Sequence, residues 1–114
     1  MNMRIIITLA ALVTIMHARE RIKLTTYAKK YIGRRTAAGD LYVGGLTAAT
    51  NRMKYYLHEV RIWKNGKCVD VRIDDKFSRA KFALPFIKLD LSAKAMKRLG
   101  LKGWAWADRI EVVK

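Results

Sequence analysis

Acidic residues, cysteine, proline and histidine are all scarce in this chain, and each scarcity closes off a class of protein. One cysteine, Cys68, in 114 residues allows no intramolecular disulfide, so oxidation cannot hold the domain together. Val69, Val71 and Ile73 alternate beside it, which suits a small side chain lining a core or strand edge better than a reactive thiol. The two histidines, His17 and His58, fall in an apolar leader and among alternating strand residues, so no metal or cofactor is expected. The nine acidic residues face 24 Lys and Arg, a formal charge of +15. Solubility does not require so much, and the expected partners are polyanions or anionic surfaces. The length allows one core and one domain, and no internal repeat or low-complexity tract interrupts it.

The first residues narrow the choice of partner. Met1 to Arg4 is a short basic start, Ile5 to Met16 is an uncharged apolar run, and Ala18 precedes Arg19. This pattern predicts a secretory signal peptide over residues 1–18 and a mature domain over 19–114, periplasmic or secreted. As a helix the apolar run would span only about 18 Å, too short to cross a bilayer, so no permanent membrane anchor is expected. Its other reading is a buried N-terminal helix or strand. No cysteine lies near the end of the run to carry a lipid.

Beyond the leader, alternation dominates. Leu57, Val60 and Ile62 interleave with His58, Glu59 and Arg61, and the alternation resumes from Cys68 to Ile73 after Lys64-Asn65-Gly66-Lys67. That is a β-hairpin with an Asn-Gly turn. Lys23–Tyr27, Leu46–Thr50 and Arg109–Val113 read as further strands. One helix is expected, with Ser92 as its N-cap, Ala93, Ala95, Met96 and Leu99 at helical spacing, and Gly100 as its stop. Lys76–Lys88 breaks the rhythm, contains the sole proline, Pro85, and reads as a long loop. Trp104 and Trp106 sit two apart; core packing is the default for them and a sugar-stacking platform the alternative.

Two segments together carry a more specific pattern. The first runs Tyr27-Ala-Lys-Lys-Tyr-Ile-Gly33-Arg34-Arg35-Thr36-Ala37-Ala38-Gly39-Asp40-Leu-Tyr42, followed by Leu46-Thr47-Ala48-Ala49. The second comprises Asn65-Gly66, Val71-Arg72-Ile73-Asp74-Asp75, Leu89-Asp90-Leu91-Ser92 and Leu99-Gly100. In order and spacing they resemble the RlpA-like double-psi β-barrel family, related to the expansin barrel, over about Leu24 to Val113. The resemblance implies a six-stranded double-psi β-barrel with one short α-helix. It also implies peptidoglycan glycan strands as substrate, cleaved between N-acetylmuramic acid and N-acetylglucosamine to leave a 1,6-anhydro end. Asp75 falls on the family's catalytic aspartate and Asp40 where the family has a glutamate that holds or polarises the sugar. Tyr42, Thr36, Thr50, Asp90 and Arg34 fall at substrate-binding positions, Thr50 in place of the family histidine. Val43 and Lys76-Phe77-Ser78 also depart from the pattern.

Two readings stay open at this point: a lytic transglycosylase, which needs the Asp75 carboxyl, and an expansin-like binding barrel, which needs only shape, aromatics and charge. Asp74 and Asp75 could alternatively pair with Arg72, Lys76 or Arg79 at a strand end. Asp90 could hydrogen-bond backbone at the helix start. A third reading takes Lys29, Lys30, Arg34, Arg35, Arg52 and Lys54 beside Tyr55 and Tyr56 as a surface for single-stranded nucleic acid. The leader and the absence of a nucleic-acid motif argue against it, and no specific nucleic acid is expected. The same charge suits anionic cell-envelope polymers.

Overall fold

Short alternating segments separated by glycine turns cannot bury an apolar face alone, and here they do so by pairing into one sheet. The computed structural model describes residues 20–114, and the expected signal peptide, 1–18, lies outside the described residues. The elements in chain order are β1 (Ile22–Thr26), β2 (Thr47–Thr50), β3 (Glu59–Lys64), β4 (Lys67–Lys76), α1 (Arg79–Phe82), β5 (Ile87–Leu91), α2 (Ala93–Arg98), β6 (Ala105–Trp106) and β7 (Arg109–Val112). The seven strands form one sheet in the order β6-β1-β5-β2-β4-β3-β7. The β1–β5 and β2–β4 pairs are parallel, the other four antiparallel.

This sheet cannot be flat. β6 and β7 occupy its two edges, yet only Ala107 and Asp108 join them. That link spans at most about 11 Å when extended, whereas the edges of a flat seven-stranded sheet would stand about 29 Å apart. The sheet therefore curls into a half-barrel. Ala107 N–H donates to the Ile22 carbonyl at 2.8 Å and Asp108 N–H to the Trp63 carbonyl at 2.9 Å, so the link holds both sides. Inside the curl lie Leu24, Val60, Ile62, Val69, Val71, Ile73, Leu89 and Leu91, and Ala95, Met96 and Leu99 of α2 pack against them.

The hairpin and α2 form where local chemistry directs them. Asn65 and Gly66 adopt φ values of 51° and 78°, the left-handed pair that a tight two-residue turn demands, and Lys64 pairs with Lys67. Ser92 Oγ accepts from Ala95 N–H at 3.3 Å. At the other end, Gly100 N–H donates to Lys97 and Leu101 N–H to Met96, which closes α2 with Gly100 at φ 70°.

Five expectations are corrected. There are seven strands rather than six, because the two-residue β6 adds to the edge of β1. There are two short helices rather than one. Lys76–Lys88 is not a single loop: β4 continues through Lys76, α1 fills the middle, and β5 starts at Ile87, where Ile87, Leu89 and Leu91 alternate into the core. Finally, Leu57 does not open β3; it is exposed with φ 68°, in the left-handed region, and its N–H donates to the Ile73 carbonyl. Trp104 and Trp106 likewise lie outside the core, and Trp104 is 61% exposed.

The excursion between β4 and β5 is fastened by two residues from the end of β2. Asn51, fully buried, donates to the Lys81 and Phe86 carbonyls at 3.0 Å each and accepts from Lys88 N–H at 2.7 Å. Arg52 donates to the carbonyls of Phe82 and Leu84 and pairs with Glu20. Arg52 is thus a structural clamp rather than a cation presented to a polyanion. Removing the Asn51 amide strands several buried backbone groups, so Asn51→Ala should cost about 3 kcal/mol in urea unfolding. A loss within about 0.5 kcal/mol would show that the clamp does not hold the excursion.

Candidate functional site

The side chains that matter are set out by one irregularity in β4. Ala48 pairs with Ile73 but Ala49 pairs with Asp75, so Asp74 is an extra residue, a β-bulge. In a regular ladder Asp74 would stand opposite Ala49, and Asp75 would turn with Thr50 toward the opposite face. The bulge instead brings Asp75 onto the outer face of the sheet. Paired residues share a face, and the pairings Thr25–Asp90, Asp90–Ala49 and Ala49–Asp75 set these four residues in one line across β1, β5, β2 and β4. Asp90 and Asp75 stand two strands apart, about 10 Å.

Both oxygens of Asp75 are oriented. Oδ1 accepts from Ala37 N–H at 3.0 Å and from Lys76 N–H at 2.9 Å, and Oδ2 accepts from the Tyr27 hydroxyl. Ala37 belongs to the segment between β1 and β2, which folds back over the bulge: Ala38 N–H donates to the Asp74 carbonyl at 3.0 Å. Tyr27 is wedged by Tyr31 and Tyr42, with ring centroids at 5.1 and 5.0 Å. Burial, and then the bond to Asp75, push the Tyr27 phenol well above its usual range, so it remains a proton donor to the carboxylate. Burial raises the Tyr42 phenol too, helped by the charge of Asp74.

Asp74 is the most enclosed carboxyl of the group, 3% exposed. Burial pushes it up to about 6; Asp40 and Asp75 add in the same direction, while its own backbone N–H and Arg72 oppose. Sequence reasoning gave Asp74 no functional role, and nothing in its local pattern signals a bulge. Arg72, the cation within reach on the same strand, is committed to Asp40, Nε to Oδ2 at 2.7 Å. None of the four ion pairs among the described residues involves Asp74, Asp75 or Asp90.

The other expected site residues divide. Asp40, Thr36 and Tyr42 gather at the Asp75 end of the 27–45 segment, and Thr36 N–H donates to the Asp40 carbonyl at 2.8 Å. Thr36 Oγ1 is buried with no hydrogen-bond partner among the described residues. Arg34 is exposed, with its guanidinium 5.9 Å from the Tyr31 ring centre, on the outside of the same segment. Asp90 does not cap α2; it accepts from the Thr25 hydroxyl, and burial raises its pKa. Thr50 does not join them. It is fully buried and its hydroxyl is spent on the backbone N–H and carbonyl of Arg52. Tyr27 is the partner that sequence reasoning left without a role; a tyrosine ending a strand is its only local signal.

The carboxylate line lies on the outer face of the sheet but is partly covered: Ala49 is buried and Thr25, Asp75 and Asp90 are half-buried. A cleft of about 710 Å³ lies elsewhere, lined by Glu20, Ile22, Tyr55, Ile87, Trp106 and Ile110 among others, and includes none of the Asp75 group. Cys68 is exposed on β4. Among the described residues no cluster of three or more His, Cys, Asp or Glu could hold a metal ion, and no helix is long and apolar enough to cross a membrane. Compared with protein-family models and with curated proteins, the chain matches none.

The enclosure of Asp74 has a measurable sign. An ordinary aspartate titrates near 3.9, so folding disfavours its ionised form and stability falls as pH rises from about 4 to 6, then levels. Asp74→Asn removes that dependence. Its stability relative to wild type should rise by about 2 to 3 kcal/mol between pH 4 and pH 7 in urea unfolding. Equal differences at the two pH values would contradict a buried, raised carboxyl.

Proposed function

We propose that this protein is an RlpA-like double-psi β-barrel of the bacterial cell envelope, exported to the periplasm or beyond, that cleaves peptidoglycan glycan strands as a lytic transglycosylase. The observation that carries this reading is the presentation of Asp75: a half-buried carboxylate on the outer face of the sheet, both oxygens aimed by three donors, in register with Asp90 and Thr25 across the sheet. A polymer too long to enter a closed cavity can reach a carboxyl presented on the outer face of a sheet.

The reaction moves one proton and exchanges one bond. The bond from C1 of N-acetylmuramic acid to the leaving O4 of N-acetylglucosamine breaks, and C1 forms a bond to the sugar's own O6. O4 gains a proton and O6 loses one, so no water is consumed and no electrons are transferred. One carboxyl can serve both ends of this transfer, and Asp75 takes that role. The Tyr27 hydroxyl and the Ala37 and Lys76 amides hold its oxygens in place, which restricts the geometry on which proton transfer depends. Asp40, partly exposed and tied to Arg72, is the group we assign to holding a sugar hydroxyl or N-acetyl group, while the Thr36 hydroxyl is buried and out of a sugar's reach.

The second reading, an expansin-like barrel that binds polysaccharide without cutting it, draws on two observations. Thr50, at the position of the family histidine, has its hydroxyl engaged internally, and Asp40 is already neutralised by Arg72. Product analysis separates the two. Incubated with peptide-stripped glycan strands, wild-type protein should give 1,6-anhydro ends by mass spectrometry. Asp75→Asn keeps shape and polarity but removes the proton carrier, and the rate should fall at least about 100-fold with folding intact. Asp40→Asn should lose roughly 10-fold, since an amide replaces part of the hydrogen bonding. An Asp75→Asn variant as fast as wild type removes Asp75 from the chemistry. Tight binding with no anhydro product establishes the binding barrel instead.

A further inference from the structure

The outer face of the sheet continues past the carboxylate line. Two residues before Thr25 and Asp90 stand Lys23 and Lys88, which pair with each other, and Lys23 pairs in turn with Trp106. Trp106, Lys23 and Lys88 therefore form a second line across β6, β1 and β5, about 7 Å from the first. Lys23 Nζ lies 4.8 Å from the Trp104 ring centre and 5.8 Å from that of Phe86, and Lys88 Nζ lies 5.1 Å from that of Phe77. Trp104 and Phe86 both meet Trp106 edge-on, at 86° and 88°, so the rings form a stepped cluster. None of these aromatics belongs to the hydrophobic core, and Trp104 leaves 61% of its surface open.

We propose that this cation–aromatic platform is a second polymer subsite, which takes carboxylate-bearing sugars of the same glycan strand whose scissile bond meets Asp75. The proposal rests on the glycan reading of Asp75. The Arg21 guanidinium already lies over the Trp106 ring at 3.6 Å, so sugar rings lay their C–H faces on the exposed Trp104 indole, and the lactyl carboxylates of the strand meet the ammonium groups of Lys23 and Lys88. The adjoining line decides between polyanions. Asp90 and Asp75 can only accept from a donor or repel an anion when ionised; glycan hydroxyls donate, and the neutral sugars between the charged ones add no repulsion. A phosphodiester backbone carries a charge on every unit and has no donor to offer there, so single-stranded nucleic acid fits this face poorly. From β4 to β6 is four strand spacings, about 19 Å along the sheet. The platform and Asp75 therefore engage different sugars of one chain.

The test uses the full chain and three probes: peptide-stripped glycan strands, which keep the lactyl carboxylates, a neutral chitin oligosaccharide of matched length, and single-stranded DNA. Trp104→Ala and the double variant Lys23→Gln/Lys88→Gln should each weaken glycan binding at least about 10-fold with unchanged melting temperature. The chitin oligosaccharide should bind more weakly from the start and lose affinity in Trp104→Ala alone. Wild-type glycan affinity in both variants overturns the platform. So does DNA that displaces glycan and loses its own binding in the same variants, since the face then serves nucleic acid. Anhydro products are scored in parallel. Products with unchanged binding remove the platform and leave the catalytic reading; lost binding with no products from wild type supports the platform and removes catalysis.

Discussion

The fold depends on a link of two residues. Ala107 and Asp108 join strands at opposite edges of a seven-stranded sheet, and no flat arrangement permits that. Curvature follows, and with it an inside and an outside. The inside collects the aliphatic side chains of β1, β3, β4 and β5 with one face of α2. The outside is free for polar and aromatic groups, and its character changes along the sheet, from an arginine–aspartate pair between β3 and β4 to the carboxylate line and then to lysines and rings. A sheet with two solvated faces would have no reason to separate its residues so sharply.

Against that background, the bulge at Asp74 is the local irregularity that gives β4 its unusual chemistry. It places two adjacent carboxyls in unlike surroundings, Asp74 enclosed and Asp75 oriented by donors on the outer face. Paired acids whose environments differ are a recurrent arrangement at working sites. The same local irregularity also accounts for the arrangement of the 27–45 segment, since the Asp74 carbonyl and the Asp75 carboxylate receive the Ala38 and Ala37 amides. Tyr27, Tyr31 and Tyr42 then pack around that anchorage.

What was legible in the sequence follows the range of the interactions concerned. Asn65-Gly66 and Ser92 with Gly100 are written in consecutive residues, and the hairpin and α2 form there. β5 and α1 were hidden because their positions depend on Asn51 and Arg52, some 30 residues away in sequence, which fasten the excursion after β4. Leu57 fits the apolar alternation and yet turns outward, because the backbone around it is held by Ile73 rather than by its neighbours in sequence. At the candidate site, the pattern singles out Asp75, Asp40 and Thr36, which the fold brings to one end of the 27–45 segment. The Tyr27 contact, the bulge and the burial of Asp74 are products of strand register, which no local signal carries. Thr50 illustrates the reverse: its position in the pattern suggested a ligand contact, and a two-residue backbone turn engages its hydroxyl instead.

The parallel pairing of β1 with β5 bears on how the chain reaches this structure. Thr25 and Asp90 are 65 residues apart, and β5 is the central partner that β1 needs before β6 can add to its other side. Contacts of such sequence separation close slowly, because a long loop must be ordered before any of them forms. During synthesis β1 therefore waits, unpaired, until β5 has emerged, while the β3–β4 hairpin can form early from neighbouring residues. Nucleation at the hairpin and late capture of the amino-terminal strand is the order that this topology favours, and any truncation that removes β5 leaves β1 without the strand that carries it into the sheet.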